Sequence, residues 1–146
     1  MQQYDELCDK IRAFNRFYTV KMDFLNTDYL GANYTIAETR VLFEIKNRKN
    51  CMQSEIAKDL HIDKSYLSRI IRRFKLNGLV QTAKSSGDKR AEIISLTELG
   101  NTKTEELINL TNVQINFLIS KLNKKECKML ADAVDTIIAI LGKENV

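Results

Sequence analysis

The stretch Asp63 to Asn77, DKSYLSRIIRRFKLN, decides the fold. Capped by Asp63 and wound at about 100° per residue, it places Leu67, Ile70, Ile71 and Phe74 on one narrow face. Ser65, Arg69 and Arg72 lie opposite, and Tyr66, Ser68 and Arg73 flank that polar side. Most charged helix faces are simply solvated, but solvated helices usually mix Glu among their Lys and Arg to gain pairs one turn apart. Here no acidic residue follows the cap. A helix that buries four large apolar groups and offers guanidinium and hydroxyl groups on its other side is suited to lie against a polyanion.

Immediately upstream, MQSEIAKDL supplies Ile56, Ala57 and Leu60 as the buried positions of a short helix, and His61 and Ile62 make the turn into Asp63. Two short helices joined by such a turn, the second carrying the basic face, predict a helix-turn-helix. Gly78 ends the second helix, because glycine adopts a left-handed cap without steric cost. Next come LVQTAKS and AEIISLT, two β-forming runs separated by SGDKR, whose Gly87 and Asp88 are strong turn formers. They predict a β-hairpin with a basic tip, and a helix-turn-helix followed by a hairpin is a winged helix.

Further out, Thr35 and Glu38 form a capping-box signature for a helix that turns Ile36, Val41, Leu42 and Ile45 inward and ends near Lys49 and Asn50. A short link containing Cys51 follows. The segment from Tyr4 to about Leu25 spaces Leu7, Ile11, Phe14, Tyr18, Met22 and Leu25 as one long amphipathic helix, widened by Phe17 and Val20, and 26–34 reads as a loop. Thr97 caps a long helix bearing Leu107, Leu110, Ile115, Leu118, Ile119 and Leu122. Asn123 and Glu126 open the last one, which aligns Leu130, Val134, Ile137, Ile138 and Leu141. These apolar ends exceed what one small core uses, so they predict a helical dimer interface.

The fold class is therefore mainly α: a winged helix-turn-helix with a β-hairpin wing, flanked by N- and C-terminal dimerisation helices. The 146 residues fit one domain, 1–146, with 1–34 and 98–146 as the helical dimerisation region and 35–97 as the DNA-binding region. The net charge of +4 is unevenly spread: 64–90 holds eight basic residues against Asp88, or +7, which leaves −3 for the remainder. All positive excess sits on the winged module, the footprint of a nucleic-acid-binding face. Apolar runs are too short for a membrane span, and the N-terminus lacks the pattern of a signal peptide, so a cytoplasmic protein is expected. Cys8, Cys51 and Cys127 are too few and too scattered for a disulfide framework or a metal cluster, and no cofactor is expected. His61 is the only histidine, and neither a phosphate loop nor a paired carboxylate stands out, which argues against an enzyme.

SEIAKDLHIDKSYLSRIIRRFKLNGLV, followed by DKRAEIISLTELG, resembles the multiple antibiotic resistance regulator (MarR) family of winged-helix repressors, with the spacing of Asp88, Arg90, Leu96, Thr97 and Gly100 at the wing and hinge. IRAFNRFYT and YTIAETRVLFEI are similar to the regulator half of regulator-acetyltransferase fusions; no acetyltransferase activity is expected of this chain. The resemblance implies a homodimer that sets two recognition helices in successive major grooves of a palindrome-like double-stranded operator, about 34 Å apart. On that frame Ser65, Tyr66, Ser68 and Arg69 are candidates for base-edge or nearby contacts, Arg69 being the best suited to guanine. Lys64, Arg72 and Arg73 are candidates for phosphates, joined by Ser54 at the start of the preceding helix and by Lys84. At the wing tip the family pattern implies that Arg90 reaches the minor groove or its phosphates with Asp88 orienting it and Lys89 adding a phosphate contact.

The resemblance also implies a repressor released by a small-molecule effector, with Phe14, Phe17, Tyr18, Met22 and Phe43 near the cleft, although such residues are more often plain core. Cys8, early in the first helix, is where some thiol-sensing relatives carry a reactive cysteine, and a redox-sensing regulator is one alternative. Asp5 and Asp9 beside it oppose thiolate formation, while Arg12 is within helical reach. A second alternative is a winged-helix protein-interaction module without specific DNA binding.

Overall fold

A computed structural model of the chain describes residues 2–85, 87 and 91–143. Asp88, Lys89 and Arg90, the expected wing-tip contacts, lie outside the described residues. The elements run α1 (Gln2–Lys21), α2 (Ile36–Arg48), β1 (Cys51–Met52), α3 (Gln53–Leu60), α4 (Lys64–Leu76), β2 (Val80–Lys84), β3 (Glu92–Leu96), α5 (Glu98–Ile119) and α6 (Lys124–Leu141). The chain divides into two compact units, Met1–Leu110 and Thr111–Val146. This is the winged helix that the stretch around Asp63 predicts.

Local chemistry sets most of the boundaries. Thr35 and Glu38 form the expected reciprocal capping box at α2, and Asn123 and Glu126 form another at α6. Asp63 caps α4 through its side chain. Gly78 takes φ +72°, turning the chain out of α4 and into β2. Thr97 joins two elements, since its hydroxyl donates to the Gly78 carbonyl at 2.5 Å and accepts from the Gly100 amide at 3.0 Å.

The first unit has one core, built from Val41, Leu42 and Ile45 of α2, Ile56 of α3, the four apolar residues of α4, and Val80, Ile94 and Leu107. Phe74 is fully buried at its centre. The region α2 to β3 thus closes around the same face of α4 that its sequence leaves apolar.

The structure departs from expectation at three places. Cys51, read as a link, and Met52, read as the start of the next helical segment, form a strand, with Cys51 opposite Ile94 and Met52 opposite Ile93, so the wing is an antiparallel three-stranded sheet of order β1-β3-β2. Two residues are too few to display the period-two alternation of a strand. Helix α1 stops at Lys21 rather than near Leu25, because Asp23 turns left-handed at φ 61° and the amide of Phe24 bonds back to Thr19. The loop after it holds a short 3-10 turn, Tyr29–Gly31, whose Tyr29 is buried.

The apolar stripes at both ends of the chain remain uncovered on the single chain. Helices α1 and α6 contain no buried residue, and Phe17, Val20, Phe117 and Ile138 are each more than 60% exposed. None of the described helices is long and apolar enough to cross a membrane.

Candidate nucleic-acid interface

Helix α4 presents its basic, polar face because its opposite face is fastened down. With Leu67, Ile70, Ile71 and Phe74 buried, the 100° step leaves Lys64, Ser65, Tyr66, Ser68, Arg69, Arg72 and Arg73 at the surface. At its head the Asp63 carboxylate accepts the Tyr66 amide at 3.1 Å. That backbone hydrogen bond, reinforced by Ser65 and the charge of Arg69, holds the Asp63 carboxyl below its ordinary range. An ionised cap also suits the positive end of the helix dipole.

The basic residues on this face are not equivalent. Arg69 lies over the ring of Tyr66, 5.8 Å from its centroid, a cation-π contact that limits the rotamers of both side chains. Among the described residues Lys64, Arg72 and Lys84 enter no ion pair, so their charges are free for an external anion. Arg73 is committed instead, its Nη1 donating to the Glu38 carboxylate at 2.6 Å. Lys75 leans toward Glu92 of the wing at 3.5 Å. Ser54 is exposed in the first turn of α3, and Lys84 is exposed at the end of β2. An open cavity of about 280 Å³, lined by Met52, Gln53, Ser54, Ala91, Glu92 and Ile94, joins the start of α3 to the wing root.

Gln53 escapes a reading from sequence. Its Nε2 donates to the Ser68 hydroxyl at 2.6 Å, tying the first residue of α3 to the exposed face of α4 and orienting a candidate base-contacting hydroxyl. Nothing local marks it; only the helix-turn-helix spacing, which brings the two N-terminal turns together, could have pointed there.

Of the residues expected near an effector, Phe14 stacks on Tyr18 at 5.4 Å and Tyr18 meets Phe24 edge-on, which in turn lies 6.1 Å from Tyr29. Met22 is buried, Phe17 is exposed, and Phe43 packs at the margin of the winged-helix core. The phenol of Tyr29 titrates above its ordinary range because burial disfavours the phenolate. All three cysteines are free: Cys8 and Cys127 are exposed and Cys51 is buried. Burial, with the charge of Glu55 nearby, pushes the Cys51 thiol up. Among the described residues no group of three or more His, Cys, Asp or Glu side chains could hold a metal ion.

Comparison with known proteins agrees with this geometry. Residues 34–91 match the model of the MarR family. The organic hydroperoxide resistance transcriptional regulator of Bacillus subtilis (strain 168) is 25% identical over 145 residues, 99% of this chain and 95% of that protein. The HTH-type transcriptional regulator BilQ of Clostridium symbiosum is 27% identical over 99 residues, 68% of this chain and 66% of its own length. Among solved structures, wild-type MarR from E. coli in its apo form superposes with TM-score 0.75 at 23% identity, covering 87% of this chain and 95% of that one. A mutant E. coli MarR complexed with operator DNA gives TM-score 0.73 at 24% identity, over 92% and 97%. At such identities the structural likeness speaks to fold.

Proposed function

From a chain whose winged helix is of the MarR family, we propose a dimeric, sequence-specific double-stranded DNA-binding transcriptional regulator, a repressor released by a small-molecule effector. The observation that carries this reading is the outer face of α4, which offers Ser65, Tyr66, Ser68 and Arg69 with no carboxylate among them. The regulators named among the relatives, and the operator complex of a MarR with the same fold, support it.

Arg69 is the residue assigned to guanine. Its guanidinium can meet two acceptors on one base edge, and the Tyr66 ring beneath it reduces the freedom lost on binding. Ser65 and Ser68 read or approach neighbouring bases. Lys64, Arg72, Lys84 and Ser54 hold phosphates, which fix position without reading sequence. By family pattern Arg90 reaches the minor groove or its phosphates at the wing tip, with Asp88 orienting it and Lys89 adding a phosphate contact. Region 35–97 binds DNA, while 1–34 and 98–146 pair two copies, a role supported by the uncovered apolar side chains of α1, α5 and α6. Phe14, Phe17, Tyr18, Met22 and Phe43 border the effector site.

Selection of bound duplexes from random or genomic DNA, followed by gel shifts, tests this reading. Recovery of a palindrome-like site with half-sites about one helical turn apart is expected. Arg69→Ala should relax preference at one position of each half-site, whereas Arg72→Ala should weaken every duplex alike. Binding that never rises above the non-specific level at low salt would overturn the reading in favour of a protein-interaction module.

A redox variant has two observations in its favour: the likeness to an organic hydroperoxide resistance regulator over 99% of this chain, and an exposed Cys8 on α1. Against it, Arg12 is spent on Asp9 at 2.6 Å. DNA affinity that falls on mild peroxide treatment in the wild type and not in Cys8→Ser would establish it.

A further inference from the structure

The carboxylate of Glu38 stands where the head of α2 meets α4. Oε1 accepts the Thr35 amide at 3.1 Å, closing the capping box of α2, and Oε2 accepts Nη1 of Arg73, 35 residues further on in α4. Glu38 is buried, its side chain only 7% exposed, while that of Arg73 is 53% exposed. The next residue of α4, Phe74, meets the ring of Tyr34 edge-on at 6.3 Å, and Tyr34 directly precedes the cap residue Thr35. One turn of α4 is therefore held to the head of α2 at two adjacent points, one ionic and one aromatic.

We infer that Arg73 is a positioning residue for DNA reading and not a phosphate contact. With Glu38 it forms a latch that fixes the rotation of α4 about its own axis, and so the direction in which Ser65, Ser68 and Arg69 project. The inference rests on the DNA-binding reading above. Its physical basis is asymmetry: leaving a buried carboxylate unpaired is costly, so Glu38 retains the guanidinium in competition with an external phosphate. Fork geometry matters as well as charge, because Nη1 must reach Oε2 while the carboxylate also keeps the Thr35 amide.

The experiment measures dissociation constants of the full chain against KCl, on a selected site and on an unrelated duplex of equal length. Wild type, Arg72→Gln, Arg73→Gln, Glu38→Gln, the double variant Glu38→Gln with Arg73→Gln, and Arg73→Lys are compared. Each lost phosphate contact reduces the slope of log K against log salt by about 0.9, so Arg72→Gln, which removes one from each protomer of a dimer, should reduce it by about 1.8. Arg73→Gln should leave that slope within about 0.3 of wild type, yet reduce the ratio of specific to non-specific binding by roughly tenfold, the scale of one mismatched base pair. Glu38→Gln should reproduce that pattern, the double variant should be no worse than either single one, and Arg73→Lys should restore the ratio incompletely. A slope change in Arg73→Gln equal to that of Arg72→Gln, or an unaltered ratio in Glu38→Gln, would overturn the latch.

Amide hydrogen exchange of the free protein adds an arm independent of DNA. Protection around Arg73 should fall in both latch variants relative to the β2 and β3 amides of the same unit. Unchanged relative protection there also overturns the inference. If the wild type binds no duplex specifically, the DNA-binding reading fails, and hydrogen exchange alone still decides whether the two side chains hold α4.

Discussion

Asp63 stabilises the head of α4 only while it is ionised. Its folded-state pKa is depressed, so its contribution is present above the ordinary aspartate range and is lost as pH falls through the folded value. Asp63→Ala should lower the melting temperature at neutral pH, and that deficit should shrink in acid, whereas Asp63→Ser should keep the cap throughout. Melting followed by circular dichroism checks this; an equal deficit at all pH values would mean that the carboxylate is not acting as a cap. Cys51 is the opposite case. Its raised pKa means that its contribution holds below the ordinary thiol range and is lost as pH rises through the folded value. Iodoacetamide should label Cys8 and Cys127 in the native protein and Cys51 only on unfolding, as read by mass spectrometry; comparable native labelling of Cys51 would contradict its burial. The Asp63 cap was legible in the sequence because capping acts over three residues. Glu38 with Arg73 and Gln53 with Ser68 were not, since partners 35 and 15 residues apart leave no local pattern.

At the scale of elements, the wing and α5 meet through one glycine. A Cβ on Gly100 would fall on the backbone carbonyl of Leu79, which cannot swing aside as a side chain can. Gly100→Ala should therefore cost about 1–3 kcal/mol or more, seen as a lower urea midpoint with an unchanged slope. A loss below about 0.5 kcal/mol, the scale of ordinary surface changes, would show that the start of α5 can shift freely. The helices and the β2-β3 hairpin could be read from caps, glycine and periodicity, and the four buried residues of α4 were identifiable from spacing alone. Strand β1 was hidden because it exists only through its pairing with β3. The early end of α1 was hidden because the left-handed turn at Asp23 carries no glycine to announce it.

For the molecule as a whole, the uncovered apolar side chains set the expected assembly. Phe17 of α1, Phe117 of α5 and Ile138 of α6 are exposed on a chain of 16.8 kDa. If they pair two copies, Ile138→Asp should shift the sedimenting species from dimer to monomer, because an unpaired charge inside an apolar interface is costly. The variant should also lose most of the advantage of a full palindrome over a half-site. A dimer that persists with its palindrome preference intact would place the interface elsewhere. The sequence showed that both ends are too apolar for one small core, but what covers them is not encoded in any pattern within one chain.

The three-stranded wing root bears on how such a protein can change over time. Pairing of Cys51 with Ile94 and of Val80 with Leu96 pins the register at the foot of the hairpin, and the Ser85 amide bonds to the Ala91 carbonyl just below the tip. Residues added between Ser85 and Ala91 therefore need not disturb the register, and doubling such a loop costs only about 0.6 kcal/mol in closure entropy. Wing length is thus an independent variable: if α4 reads bases as proposed, an insertion there would alter how far the hairpin reaches along a duplex while leaving that reading intact.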